Sequence, residues 1–417
     1  MYYAKLDENY ICSLKGDLPG QKVHQLPSDV SRTVFLFERD PLTCRDAFAV
    51  THPCQLSAQT EDVTWLASES LPSAEKLPLQ VTELIRNDQL RAVNKSHPRW
   101  RELLNCTAAE GKKRVNIIAV GDVGGTVLIG LRLLGGDILS SIGIYDLSPT
   151  TLDRWEFEVG QVYSPWTEYQ PPHVAIIDEE NIFDCDMLVF CATGGVPPLA
   201  EKGDVRLAQL AVNSRLVSHY AKLARQRSFG GIFAVVSDPV DLLCRIAWLE
   251  SNRNHDGRWD GKGLFTAQVE GYGLGVMYAR AAYYARRDSR FAAFLNDGAA
   301  YGPHGSELVI ANSLSDYDDD LSRELTRLAA EANLEARSRD FKPFIAPALS
   351  SAAYQILDTL RGRPHLGATM LGDIFFGAVN RRGPSGIEVF SHPLPQELLS
   401  RIQYSAAVLQ NLGEHYE

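Results

Sequence analysis

The chain has 417 residues, 45% hydrophobic and 22% charged, which allows two or three packed domains of ordinary globular composition. Acids outnumber bases 52 to 41 with no block of Lys or Arg, which argues against nucleic acid, whose phosphates need a concentrated positive face. MYYAKLDENY has no apolar leader core and no apolar run reaches the length of a membrane span, so a cytoplasmic protein with no membrane partner is expected.

Seven cysteines lie scattered at positions 12, 44, 54, 106, 185, 191 and 244. Their number is odd and no CxxC pair occurs, so neither a disulfide framework nor a metal cluster is expected. Residues 1–110 read as an N-terminal extension, a small α+β unit or an arm laid over a neighbour. YYAKL and YICSL flank a turn-like Asp-Glu-Asn and predict a hairpin. Short strands are expected at Arg32–Phe37 and Val63–Leu66, and amphipathic helices at Leu77–Val93 and Arg99–Leu104. No chemical motif falls in this stretch.

From Val115 apolar runs alternate with helical stretches. VNIIAV, IGIYD, VAII, MLVFCA and GIFAVV are five buried-strand candidates, separated by helices such as Val127–Leu134, Val205–Arg225 and Val240–Leu249. Strands apolar throughout and spaced by helices predict a parallel sheet covered on both faces, doubly wound by right-handed crossovers. We place this doubly wound domain at residues 111–260 and a following α+β domain at 261–417. The second contains a helix near Leu274–Arg287, strands near Phe291–Ala300 and Leu308–Ser313, and helices at Asp319–Arg337 and Pro347–Leu360. Strands Asp373–Val379 and Gly386–Phe390 and a helix from Pro395 complete it.

The first strand runs into Ala119-Val-Gly121-Asp122-Val123-Gly124-Gly125. A glycine-rich strand-to-helix turn lets backbone N–H groups approach a pyrophosphate at the positive helix end. The second strand ends at Asp146, where a carboxylate binds ribose hydroxyls and repels a 2′-phosphate; NAD(H) is therefore expected over NADP(H).

From about Val115 onward the chain resembles the lactate/malate dehydrogenase superfamily, motif by motif. Ala119–Gly124 stands where that family has its glycine fingerprint, with Ala119 replacing the first glycine. Ala192-Thr193-Gly194-Gly-Val-Pro197 is similar to the segment leading into the mobile substrate loop, which adds Thr193 and Gly194 to the cofactor-binding residues. Arg206 precedes Asn213 by seven residues, as the family's loop arginine precedes its own asparagine. Ser237-Asp238-Pro-Val-Asp241 resembles Ser-Asn-Pro-Val-Asp, Val269–Arg280 resembles the helix with the substrate arginine, and Gly302-Pro-His304-Gly-Ser resembles the catalytic-histidine loop.

The resemblance implies a Rossmann-type domain joined to a substrate domain, NAD as cofactor, a small 2-oxo or 2-hydroxy acid as substrate, and a homo-oligomer. It implies His304 as acid/base, Arg280 as carboxylate anchor and Arg206 as the residue that polarises the carbonyl. Two positions depart from the pattern. Met277 replaces the aspartate that would orient the histidine, and Asp238 replaces a substrate-contacting asparagine. One reading joins them: Asp238 partners His304 from another strand, which makes it a third catalytic residue. The other is drift in a dinucleotide-binding sensor or assembly protein that has lost turnover. Neither the arginine of malate enzymes nor the glutamine of lactate enzymes occurs in the selector stretch Pro198–Lys202, so a different acid is expected. A metal-dependent glycosidase relative of the fold would need a cysteine beside the histidine, and none adjoins His304.

Overall fold

In the computed structural model the described residues are 1–414, apart from 29, 69–76, 106–110, 167–169 and 195–204; residues 205–208 and 414 are described in backbone alone. Strand β1 (Tyr2–Leu6) pairs antiparallel with β2 (Asn9–Ser13), Ala4 facing Ile11, across a reversal in which Asp7 takes a left-handed conformation with φ 53°. Then come β3 (Gln21–Val23), β4 (Thr33–Phe37), β5 (Ala47–Ala49), helix α1 (Leu79–Arg86) and β6 (Leu90–Asn94). They form a six-stranded sheet in the order β3-β1-β2-β4-β6-β5, with β2, β4 and β6 parallel.

Three expectations fail here: the helix expected at Arg99–Leu104 is only a 3₁₀ turn over Glu102–Leu104, and two others fail for local reasons. Val63–Leu66 is a 3₁₀ turn, because Asp62 accepts the Thr64 N–H and caps it. The helix expected over Leu77–Val93 stops at Arg86: Asn87 and Asp88 turn the chain, Asp88 with φ 53°, and Leu90–Asn94 enters the sheet fully buried.

The apolar runs that follow form β7 (Lys113–Ile118), β8 (Leu139–Tyr145), β9 (His173–Ile176), β10 (Met187–Phe190), β11 (Ile232–Val235) and β12 (Val269–Gly271). Between them lie α2 (Asp122–Leu134), α3 (Pro149–Gly160), α4 (Val205–Gln226) and α5 (Val240–Ser251). The rest is α6 (Leu274–Ala285), α7 (Phe294–Asp297), β13 (Ala299–Tyr301), β14 (Val309–Ala311) and α8 (Asp319–Arg337). A π-helical segment, Pro347–Ala353, then leads into α9 (Tyr354–Leu360), β15 (His365–Leu371), β16 (Ile374–Gly383), β17 (Gly386–Val389) and α10 (Gln396–Glu414). The large sheet runs β17-β16-β15-β12-β11-β10-β7-β8-β9, parallel from β12 to β9 and antiparallel from β12 to β17. The expected doubly wound parallel sheet is present, and the strand order reverses between β7 and β10, where such sheets open a crevice.

The two sheets share one core. Phe48 and Trp65 of the N-terminal segment belong to the same buried cluster as Phe233, Trp248 and Phe375. The seam is also polar: Asp46 accepts the Thr266 N–H (2.6 Å), Arg99 donates to the Gly263 carbonyl (2.7 Å), and Ser385 donates to the Asp88 carbonyl (2.7 Å). No helix among the described residues is long and apolar enough to cross a membrane.

Candidate active site

At the end of β7 the chain turns through Ala119, whose φ of 67° is a conformation that favours glycine. Gly124 lies against this turn so closely that an added Cβ would stand 2.0 Å from the Ala119 carbonyl oxygen. Gly121 is the N-cap of α2; it is exposed, with no side chain capping the helix among the described residues, so the first-turn N–H groups face outward. Asp146, just past β8, accepts the N–H groups of Val120 (3.0 Å) and Ser148 (3.0 Å), which fixes a carboxylate beside the turn. Asp122 would oppose a pyrophosphate at the same helix end, but the Lys342 ammonium stands 3.0 Å from it. These residues fit a dinucleotide: open N–H donors, a strand-end carboxylate, and an acid already countered by a cation. Val123 is half-buried behind the turn, and Thr193 and Gly194 are exposed just past β10.

At the end of β11, next to β10 in the sheet, Ser237, Asp238 and Pro239 turn into α5. Ser237 Oγ donates to the Ala192 carbonyl (2.6 Å) and Asn213 Nδ2 to the Asp238 carbonyl (2.7 Å). Asn213, almost fully buried on α4, also accepts the Gly194 N–H (2.9 Å), so one amide ties the end of β10 to the Asp238 turn. The sequence used Asn213 only as a spacing mark; a buried amide in a helix is the signal that marks such a strut.

His304 lies past β13. Its Nε2 is 2.6 Å from Asp238 Oδ1, an ion-pair contact without hydrogen-bond alignment. The other ring nitrogen faces the start of α6: a Cβ on Gly273 would stand 2.2 Å from Nδ1, so only glycine admits the ring there. Ser351 holds this helix start, donating to the Gly273 carbonyl (2.6 Å) and accepting the Val276 N–H (2.8 Å). Met277, one turn into α6, is buried with its sulfur 3.5 Å from Arg280 Nη1; Arg280 also donates to the Ala329 carbonyl on α8 (3.4 Å). The structure thus brings Asp238 to His304 and leaves Met277 against Arg280. Arg206 begins α4 with its side chain outside the described residues, as is the whole selector stretch Pro198–Lys202. Lys342 and Ser351 join Asn213 among the residues that the sequence did not mark as part of the site.

No family model matches the chain. The L-lactate dehydrogenase of Mesomycoplasma hyopneumoniae (strain 232) is 26% identical over 288 residues, 64% of this chain and 84% of that protein. Among solved structures, the minor L-lactate dehydrogenase of Enterococcus mundtii superposes with a TM-score of 0.58 at 18% identity, over 73% of this chain and 99% of that one. The malate dehydrogenase of Archaeoglobus fulgidus in complex with NADH gives 0.56 at 18%, over 72% and 99%. Sheet order, glycine turn and His304 loop, together with these relatives, support membership of the lactate/malate dehydrogenase superfamily, at low identity.

Proposed function

We propose that this chain is an NAD-dependent oxidoreductase acting on a 2-oxo/2-hydroxy acid other than lactate or malate. The observation that carries this is the contact between His304 Nε2 and Asp238: a carboxylate stands at the histidine although the family position for it holds Met277. Drift alone gives no reason for the loss on α6 to coincide with a new carboxylate 2.6 Å from the ring.

In this reading Gly121, Asp122, Val123 and Gly124 present backbone donors to the pyrophosphate, Asp146 takes the ribose hydroxyls, and Thr193 and Gly194 line the neighbouring strand end. When bound, the nicotinamide supplies or accepts the hydride. Arg280 anchors the substrate carboxylate with its planar fork, Arg206 polarises the reacting carbonyl, and the His304–Asp238 pair holds the exchanged proton at Nε2. Residues 1–110, 111–260 and 261–417 serve as extension, cofactor domain and substrate domain of a cytoplasmic homo-oligomer. A second reading, a sensor or assembly protein that binds dinucleotide without turnover, is favoured by Met277 and by the long N-terminal extension.

The test is a panel of 2-oxo acids with NADH and 2-hydroxy acids with NAD⁺, followed by absorbance and paired with cofactor titration. At least one pair turns over, and Arg280→Lys weakens that acid's binding by about 2–4 kcal/mol, the scale of a broken buried charge pair, without moving cofactor affinity. Cofactor binding with no turnover across the panel selects the second reading.

A further inference from the structure

We propose that Asp238, and not His304, is the group that meets the reacting oxygen, and that the site therefore receives its substrate in the hydroxyl form. This inference rests on the 2-hydroxy-acid reading. A neutral or charged imidazole reaches a substrate only through one of its two ring nitrogens. Nδ1 of His304 is packed on Gly273, where not even a methyl group fits, and Nε2 is covered by Asp238 at 2.6 Å. Of the two side chains Asp238 is the outer one, 40% exposed against 15% for His304. Its backbone is held by Asn213 through the carbonyl, and since Oδ1 is buried, the exposed part of the Asp238 side chain lies beyond the atom that meets His304.

A carboxylate in front changes what the pocket accepts. An ionised carboxylate only accepts hydrogen bonds, so it pairs with a substrate O–H and opposes the lone pairs of a ketone oxygen. The hydroxyl form of a 2-hydroxy acid satisfies it; the 2-oxo form of the same acid does not. In the oxidation the O–H proton passes to the Asp238 carboxylate and is shared with His304 Nε2, the C–O bond becomes a carbonyl, and the C–H electron pair leaves as hydride to oxidised nicotinamide. His304 acts behind Asp238 as the store of that proton.

The test is calorimetric titration of the whole chain, saturated with cofactor, by matched acids: glycolate, lactate, malate and 2-hydroxyisocaproate with NAD⁺, and their 2-oxo partners with NADH. The unmodified protein should bind the hydroxy member of its best pair at least tenfold tighter. Asp238→Asn, which can donate as well as accept, should invert that ratio, whereas a purely structural role would weaken both forms alike. His304→Gln should keep the preference while losing turnover, because the carboxylate is still in front. Oxo acids that bind as tightly as hydroxy acids, or a preference lost in His304→Gln and kept in Asp238→Asn, would overturn the assignment and leave the dehydrogenase reading standing. If neither form of any acid binds, that reading falls and this one with it.

Discussion

Ala119 shows how a single residue can be strained by its place in a motif. Alanine at φ 67° costs on the order of 1 kcal/mol relative to a glycine free of its Cβ, less what glycine loses in chain entropy. Ala119→Gly should therefore stabilise the protein by roughly 0.5–1 kcal/mol, seen as a higher denaturant midpoint at unchanged slope; a lower midpoint would mean that the methyl group makes contacts worth more than the strain. In the proposed reading Asp146 selects the cofactor by the same kind of local argument. Removing its charge in Asp146→Ser should raise affinity for NADPH relative to NADH, measured by fluorescence titration. Tighter NADPH than NADH binding by the unmodified chain would contradict the assignment.

Elements carry the next layer. In the proposed reading the N-terminus of α2 accepts two phosphates beside Asp122, whose charge is met by Lys342 from the segment after α8. An exposed pair of this kind is worth about 0–1 kcal/mol to stability, so Lys342→Met should leave the melting temperature almost unmoved. It should nevertheless weaken NADH several-fold, and Asp122→Asn in the same chain should restore the affinity. Equal NADH affinity in Lys342→Met and the unmodified protein would place Lys342 outside the cofactor site. Deeper in the sheet, Glu270 on β12 meets His365 on β15 and Arg382 on β16, the last at 3.1 Å. Burial pushes the Glu270 carboxyl up, but the His365 ring and the Arg382 guanidinium outweigh it and hold it below the usual carboxylate range. Glu270→Ala leaves the partners unpaired in the core and should cost about 3–5 kcal/mol of stability, read from chemical denaturation.

The sequence made five of the six parallel strands of the large sheet legible because their runs are largely apolar, but not β12, where Glu270 interrupts a three-residue strand that was read as part of the following helix; α8 was legible because its period is strong and Asp318 caps it. It did not show β15, which was passed over between two expected elements, nor that Phe291–Ala300 is mostly helical turn, since short apolar runs fit either state. The juxtaposition of Asp238 and His304 was legible only as two departures from a motif; that Asp238 lies on Nε2 with Gly273 behind the ring depends on packing that no spacing records.

At the scale of the molecule, the N-terminal sheet is fastened to the body through buried groups that titrate. Burial raises the Asp46 carboxyl from 3.8 to about 7, against the opposing Thr266 hydrogen bonds, and burial lowers His97, 3.8 Å away, from 6.5 to about 4. A raised carboxyl gives stability that is complete below its ordinary value and is lost as pH climbs from about 4 to about 7. A lowered histidine gives stability that is complete above 6.5 and is lost as pH falls towards about 4. Asp46→Asn abolishes the first of these, so the variant should gain on the unmodified chain at pH 8, by an amount on the order of a few kcal/mol, and gain little at pH 4. Parallel melting curves across that range would show that the seam does not feel Asp46.

On the proposed reading, turnover survives because a carboxylate has been rebuilt at His304 from position 238. The decisive measurement is kcat/KM for 2-hydroxy-acid oxidation with NAD⁺ in the unmodified chain and in Asp238→Asn, with cofactor affinity measured alongside. The unmodified chain should turn over at least one acid, and the variant should lose about 100-fold or more with unchanged NAD⁺ binding. Activity equal to or above that of the unmodified chain in Asp238→Asn would contradict it.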